Sequence, residues 1–283
     1  MDNHPKDICK LKYYDVSKNN QIFIKLNMST KKQLYHYTTK SGIEGILGNN
    51  SLWVTHRSFL DDTTEIHYIY SVLEGVIIYL NQNRELYDMG IEGQFYIYEA
   101  IIKTLDAMKK IYINGVPIEG GEIFLLSLTE RSNNKYLLEN YSGKDGAIIE
   151  FQNNIDKIFL KNKDILSILT AKVEYDFASQ MTIIIEDINE FYSELLNNLL
   201  REKTVDYVEL VETIKQILYI KILNYSFFFK HHNFSKEEEY RMVFLVDNNY
   251  VNNFVKYRTK SGKKIPYIDI KLNEKSIVKT IRA

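Results

Sequence analysis

Three prolines and twelve glycines are all that punctuate a chain of 283 residues. Average usage is about 5% and 7%, so the residues that end elements and open turns are scarce here. Long helices and strands must carry much of the chain, and collagen-like, Gly-linker and Pro-spacer architectures are excluded. The hydrophobic fraction of 45% is that of a globular protein. The charges nearly cancel, 36 Lys+Arg against 37 Asp+Glu, which argues against a histone-like nucleic-acid binder but allows a local basic groove. Cys9, the single cysteine, can close neither an internal disulfide nor a thiolate metal cluster. Met1 is not followed by a signal-peptide pattern, and no apolar run approaches the roughly 18 residues of a membrane span. The expectation is a cytoplasmic protein without a membrane partner.

Along the chain, residues 1–32 read as a polar arm and 33–283 as a single domain. Leu34–Thr38 predicts a strand, followed by a short helix with Ser41 and Glu44 at capping-box spacing and Gly48 at its end. Ser51–Thr55 resumes as a strand, and Asp61-Asp62 stand before a long helical stripe running from Ile66 to Leu80. A helix is predicted over 94–111, strands over 123–128, 147–151 and 171–175, and a short helix over 133–141. Two long helices occupy about 178–201 and 204–229, and strands return at 239–246, 253–257 and 267–272. This order predicts an α+β fold, a split mixed or antiparallel β core with a long helical insertion at about 178–229. The two inserted helices are candidates for a lid, a homodimer interface or plain scaffolding.

Four stretches carry more polar chemistry than their local structure requires. In Leu34-Tyr35-His36-Tyr37-Thr38, strand alternation puts His36 and Thr38 on one face and both tyrosines on the other. Asp61-Asp62-Thr63-Thr64-Glu65 suits helix capping, but Asp62 and Glu65 also qualify as site carboxylates. Ser127 and Thr129 share a strand face, with Glu130 and Arg131 at the strand exit. In Phe234-Ser235-Lys236-Glu237-Glu238-Glu239-Tyr240-Arg241, a strand would align Glu237, Glu239 and Arg241 on one face. Such a row is costly to bury unless its charges pair, and it can supply a tuned base or stabilise a cation. The competing interpretation is an exposed edge strand with a charge ladder. The six histidines show neither H-x-H nor H-E-x-x-H spacing, so no resident metal is expected. Gly42, Gly45 and Gly48 match neither a Walker loop nor a dinucleotide fingerprint, and Tyr68, Tyr70, Tyr79 and Phe227–Phe229 read as core.

These blocks resemble a bacterial family known as domain of unknown function 2971. Its pattern is a Tyr-His/Lys-Tyr-Thr/Ser strand with a Gly-ended helix (Leu34–Gly48), then Phe59-x-x-Asp62-x-x-Glu65, then Ser127–Glu130. Tyr141–Phe151, Phe234/Glu237/Glu239/Arg241, Arg258 and Pro266-Tyr267 complete it. The chain departs from it in having Leu138–Asn140 where a Trp is usual and Asp61 in place of Asn.

The order His36, Ser127/Thr129, Glu237-x-Glu239 is also similar to that of the ADP-ribosyltransferases, enzymes with a split NAD-binding fold. That resemblance implies NAD as substrate and cleavage at the nicotinamide–ribose bond. The acceptor would be a protein or a nucleic acid, in a bacterial antiphage-defence or toxin setting. It implies that His36 holds a ribose hydroxyl, Glu239 stabilises the oxocarbenium-like centre and Glu237 orients the acceptor. Arg241 would bind pyrophosphate, and Tyr37 or Tyr141 would stack on nicotinamide, with Thr38, Ser127 and Thr129 lining the cofactor site. Two alternatives stay open: a nuclease or other hydrolase using Asp61, Asp62, Glu65, Glu237 and Glu239 around a divalent cation, and a non-catalytic sensor or interaction domain.

Overall fold

The computed structural model describes residues 32–59, 67–114, 122–152, 158–160, 165–201, 206–246, 251, 254–260 and 262–282. It is α+β, with every strand ladder antiparallel. The strands are β1 (Leu34–Thr38), β2 (Ser51–His56), β3 (Glu122–Thr129), β4 (Ala147–Phe151), β5 (Ile165–Lys172), β6 (Glu239–Val246), β7 (Lys256–Lys260), β8 (Lys263–Lys271) and β9 (Ile277–Arg282). The helices are α1 (Lys40–Asn49), α2 (Ile69–Gln82), α3 (Gln94–Asn114), the single turn α4 (Lys135–Leu137), α5 (Phe177–Leu199) and α6 (Tyr207–Phe228). Two compact units result.

One unit holds all nine strands, in the order β7-β8-β2-β3-β1-β4-β9, with β6 on the other edge of β3 and β5 beyond it. Alternation along the strands builds its core. Leu52 and Val54, Phe124, Leu126 and Leu128, Tyr240, Met242, Phe244 and Val246, and Ile268 and Ile270 all cluster with Leu34, Ile149 and Phe151. Helix α1 adds Ile46 to this core, with Ile43 packed against it.

β3 is the branch point of the sheet. Its whole length pairs with β6, from Glu122↔Val246 to Thr129↔Glu239. Its other edge is shared, with β2 at Phe124 and Leu125 and β1 at Thr129. Among the described residues, Leu126–Leu128 have no ladder partner on that edge. The sheet splits there.

The other unit is helical, its described residues drawn from two stretches of chain. α2 packs on α3 and α5, and α3 on α6. Helical spacing puts Ile69, Val72, Leu73, Val76 and Leu80 of α2 out of solvent. The long helices begin at capping aspartates: Asp176 accepts from the Ser179 amide, and Asp206 from those of Val208 and Glu209. Among the described residues, no helix is long and apolar enough to cross a membrane.

Several local expectations need correction. α1 is capped by Thr39, whose hydroxyl accepts from the Gly42 amide, and it ends at Asn50 in the left-handed region (φ 47°), not at Ser41 and Gly48. Asn readily takes that conformation, so glycine is not required there. The strand expected at 171–175 runs instead over Ile165–Lys172, following β6. The strand expected at 253–257 lies at Lys256–Lys260, set by a hairpin with register Lys260↔Lys263 and Gly262 at φ 77°. β9 was not expected at all, and it pairs with β4. Tyr70 and Tyr79 are 39% and 36% exposed rather than core, whereas Phe227–Phe229 are buried as expected.

Candidate functional site

The split at β3 is where the predicted site residues gather. Ser127 sits on β3 opposite Arg241 of β6, and Thr129 opposite Glu239. The Ser127 hydroxyl donates diagonally to Glu239 Oε1 at 2.7 Å. Arg241 grips the same carboxylate with both ends of its fork, Nε to Oε1 and Nη2 to Oε2, each at 2.6 Å. Arg241 is flanked across the ladders by Ser127 and Ala171, two small residues that leave room for a guanidinium. Both charges are out of solvent, at 2% and 1% exposure, so the bidentate geometry is what makes their burial tolerable. β6 is an interior strand between β3 and β5, which removes the exposed edge-ladder interpretation.

His36 enters from β1. Its Nδ1 lies 3.1 Å from the Ser127 carbonyl oxygen, in the stretch of β3 that β1 and β2 leave unladdered. A carbonyl only accepts, so Nδ1 carries the proton and donates it. Burial of the ring holds its pKa below the ordinary histidine value, outweighing the raising effect of the Ser127 bond, and the nearby positive charge of Arg258 adds to the lowering. His36 is therefore neutral at pH 7, with Nε2 as a lone-pair acceptor suited to a hydroxyl donor.

Glu237 does not stand in the row with Glu239 and Arg241. A 3₁₀ segment, His232–Glu237, is followed by Glu238 at φ 45°, and β6 begins only at Glu239. The left-handed residue breaks the alternation that the sequence predicted. Glu237 is buried and accepts from the Tyr141 hydroxyl at 2.9 Å, while the Tyr141 ring is 40% exposed. Tyr141 lies in a π turn, Leu138–Ser142, that continues α4.

Tyr37 and Thr129 serve the scaffold rather than a ligand. Tyr37 is buried, and its hydroxyl donates to the Arg131 carbonyl at 2.8 Å and accepts from the Asn134 amide at 2.9 Å. It cannot offer a face for stacking. Thr129 is fully buried and donates to the Glu238 carbonyl at 2.9 Å, pinning the left-handed residue from below. Arg131 holds the Glu238 side chain at 3.0 Å. Thr38 lies against α1, where a Cβ on Gly42 would collide with its hydroxyl, so close approach accounts for the glycine at 42. Asp61, Asp62 and Glu65 lie outside the described residues.

Two further groups border the split, neither assigned a site role from the sequence, where Arg258 and Tyr267 stood only as parts of the family pattern. Arg258 of β7 reaches across β8 to donate from Nη2 to Thr55 Oγ1 of β2 at 3.0 Å. Trp53 of β2 stacks on Tyr267 of β8 with ring centroids 4.4 Å apart. The available signal was alternation: Leu52 and Val54 belong to the core, which turns Trp53 and Thr55 to the opposite face.

Fold and site together define an α+β protein with a hydrogen-bonded charge cluster set where an antiparallel sheet divides. Residues 138–242 match the profile of a family described as Protein of unknown function (DUF2971). That stretch contains the Tyr141–Phe151 block and the Phe234 to Arg241 signature, and it covers less than half of the chain. No curated protein and no solved structure matches the chain.

Proposed function

We propose that this protein is an ADP-ribosyltransferase-like enzyme that cleaves NAD at the nicotinamide–ribose bond and transfers ADP-ribose to a macromolecular acceptor, protein or nucleic acid. One observation carries the reading: His36, Ser127 and Glu239, from three strands far apart in sequence, meet at the sheet split, His36 on the main-chain carbonyl of Ser127 and Glu239 on its hydroxyl. In this reading His36 Nε2 accepts from a ribose hydroxyl. The C1′–N bond breaks with its electron pair passing to nicotinamide, and Glu239, buried with Arg241, acts through its field on the positive charge that develops at C1′. The acceptor then forms the new bond to C1′ and releases its proton toward Glu237. Tyr141 orients Glu237 and has an exposed ring beside it.

The Glu239–Arg241 pair supports a second reading, a non-catalytic sensor of NAD-like ligands. A carboxylate gripped by a guanidinium offers less field to a nascent cation than a lone one. The cation-dependent hydrolase has less support, because Glu237 and Glu239 are both engaged by other side chains.

Free nicotinamide released from NAD is the deciding measurement. Glu239→Gln is expected to lower release on the order of 10²-fold. Ser127→Ala, which leaves the ion pair intact, and His36→Ala should each lower it less, with melting curves confirming that every variant is folded. A rise in melting temperature with NAD but no nicotinamide from the wild type selects the sensor. Neither signal overturns both readings.

A further inference from the structure

On the far side of the split from His36, the sheet presents a flat aromatic surface next to a fixed cation. Trp53 is 41% exposed, with one face of its ring covered by Tyr267, which is itself buried. Ladder register places Thr55 directly opposite Tyr267, and Thr55 receives the Arg258 guanidinium. The guanidinium is therefore tethered next to the aromatic pair, and its charge is felt at His36. Asp269, the cross-strand partner of Trp53, would repel an anion, but Lys256 holds it at 3.1 Å and offsets its charge. An indole face backed by a second ring, with a guanidinium at its border, is complementary to a planar base bearing a phosphate.

We propose that Trp53 and Arg258 form a nucleotide subsite, the base stacking on the exposed face of Trp53 and the phosphate resting on Arg258. The proposal deepens the NAD reading and rests on it for placing the subsite beside His36, Ser127 and Glu239. It also transfers the anion-holding role from Arg241, which is buried against Glu239, to Arg258.

Trp53 is the single tryptophan of the chain, so intrinsic tryptophan fluorescence reports on this position alone. Titration of the full chain with ADP-ribose should change that fluorescence saturably, and adenosine should do so at higher concentration. Arg258→Gln is expected to weaken ADP-ribose roughly 10- to 100-fold while leaving adenosine unchanged, and Arg258→Lys to restore part of the loss. Calorimetric binding of ADP-ribose without a fluorescence change, or no binding at all, overturns the subsite. The fate of the catalytic reading is separable. Nicotinamide release from NAD without a Trp53 response leaves the enzyme standing and removes the subsite; a Trp53 response without release does the reverse.

Discussion

Glu238 sits at φ 45°, in the left-handed region that a residue with a Cβ adopts at a cost of about 1–2 kcal/mol. Thr129 on its carbonyl and Arg131 on its carboxylate hold it there, and the kink separates Glu237 from Glu239 so that each finds its own partner. His36 is the residue whose environment has the clearest consequence with pH. Its pKa is lowered by burial in the folded protein, so the unfolded chain binds a proton more readily than the folded one. Its contribution to stability is complete above the unfolded value of about 6.5 and is lost as pH falls from there through the folded pKa. Urea midpoints measured from pH 7.5 to 5 should fall less steeply for His36→Gln than for the wild type; parallel slopes would refute the assignment. The glycines of α1 offer a second contrast. Gly45 has open space where a Cβ would go, so Gly45→Ala should stabilise by about 0.5–1 kcal/mol. Gly42→Ala gains the same propensity but collides with Thr38, and should destabilise in the same denaturation assay.

Within the helical unit, α5 and α6 share a buried polar contact. Lys221 donates to Asp187 Oδ1 at 2.7 Å and Tyr225 donates to Oδ2 at 2.9 Å, with the charged pair 5% and 6% exposed. Removing one charge from such a pair strands the other. Lys221→Met should therefore cost about 3–5 kcal/mol in urea denaturation, and adding Asp187→Leu should recover most of the loss. A double variant as unstable as the single one would show that shape, not charge, governs the contact. These helices were legible from sequence because more than twenty residues repeat the 3.6 period without a proline. β4 and β6 were equally legible, with the bounds 147–151 and 239–246 recovered from short apolar runs between turn signals. β9 was not, because Ile277–Arg282 alternates apolar and charged residues only weakly and becomes a strand by pairing with β4.

At the scale of the molecule, the chain alternates between its strand-rich and helical units, so neither is a contiguous segment. The near-zero net charge says nothing of the groups at the split, where Arg241 grips Glu239 and the charge of Arg258 is felt at His36. By itself the sequence determined the class of fold, the long helices and the residue types of the site. Periodicity and the scarcity of Gly and Pro are local properties, and a row of charges shows in any reading of residues 237–241. Only the tertiary structure decided which of those residues meet. Pairings between strands bring His36 to Ser127 across 91 residues and Ser127 to Glu239 across 112, and a single left-handed residue takes Glu237 out of the row. Trp53 and Arg258 border the same split because β8 lies between their strands. Pairing across a sheet depends on the whole pattern of buried faces, which no local stretch of residues encodes.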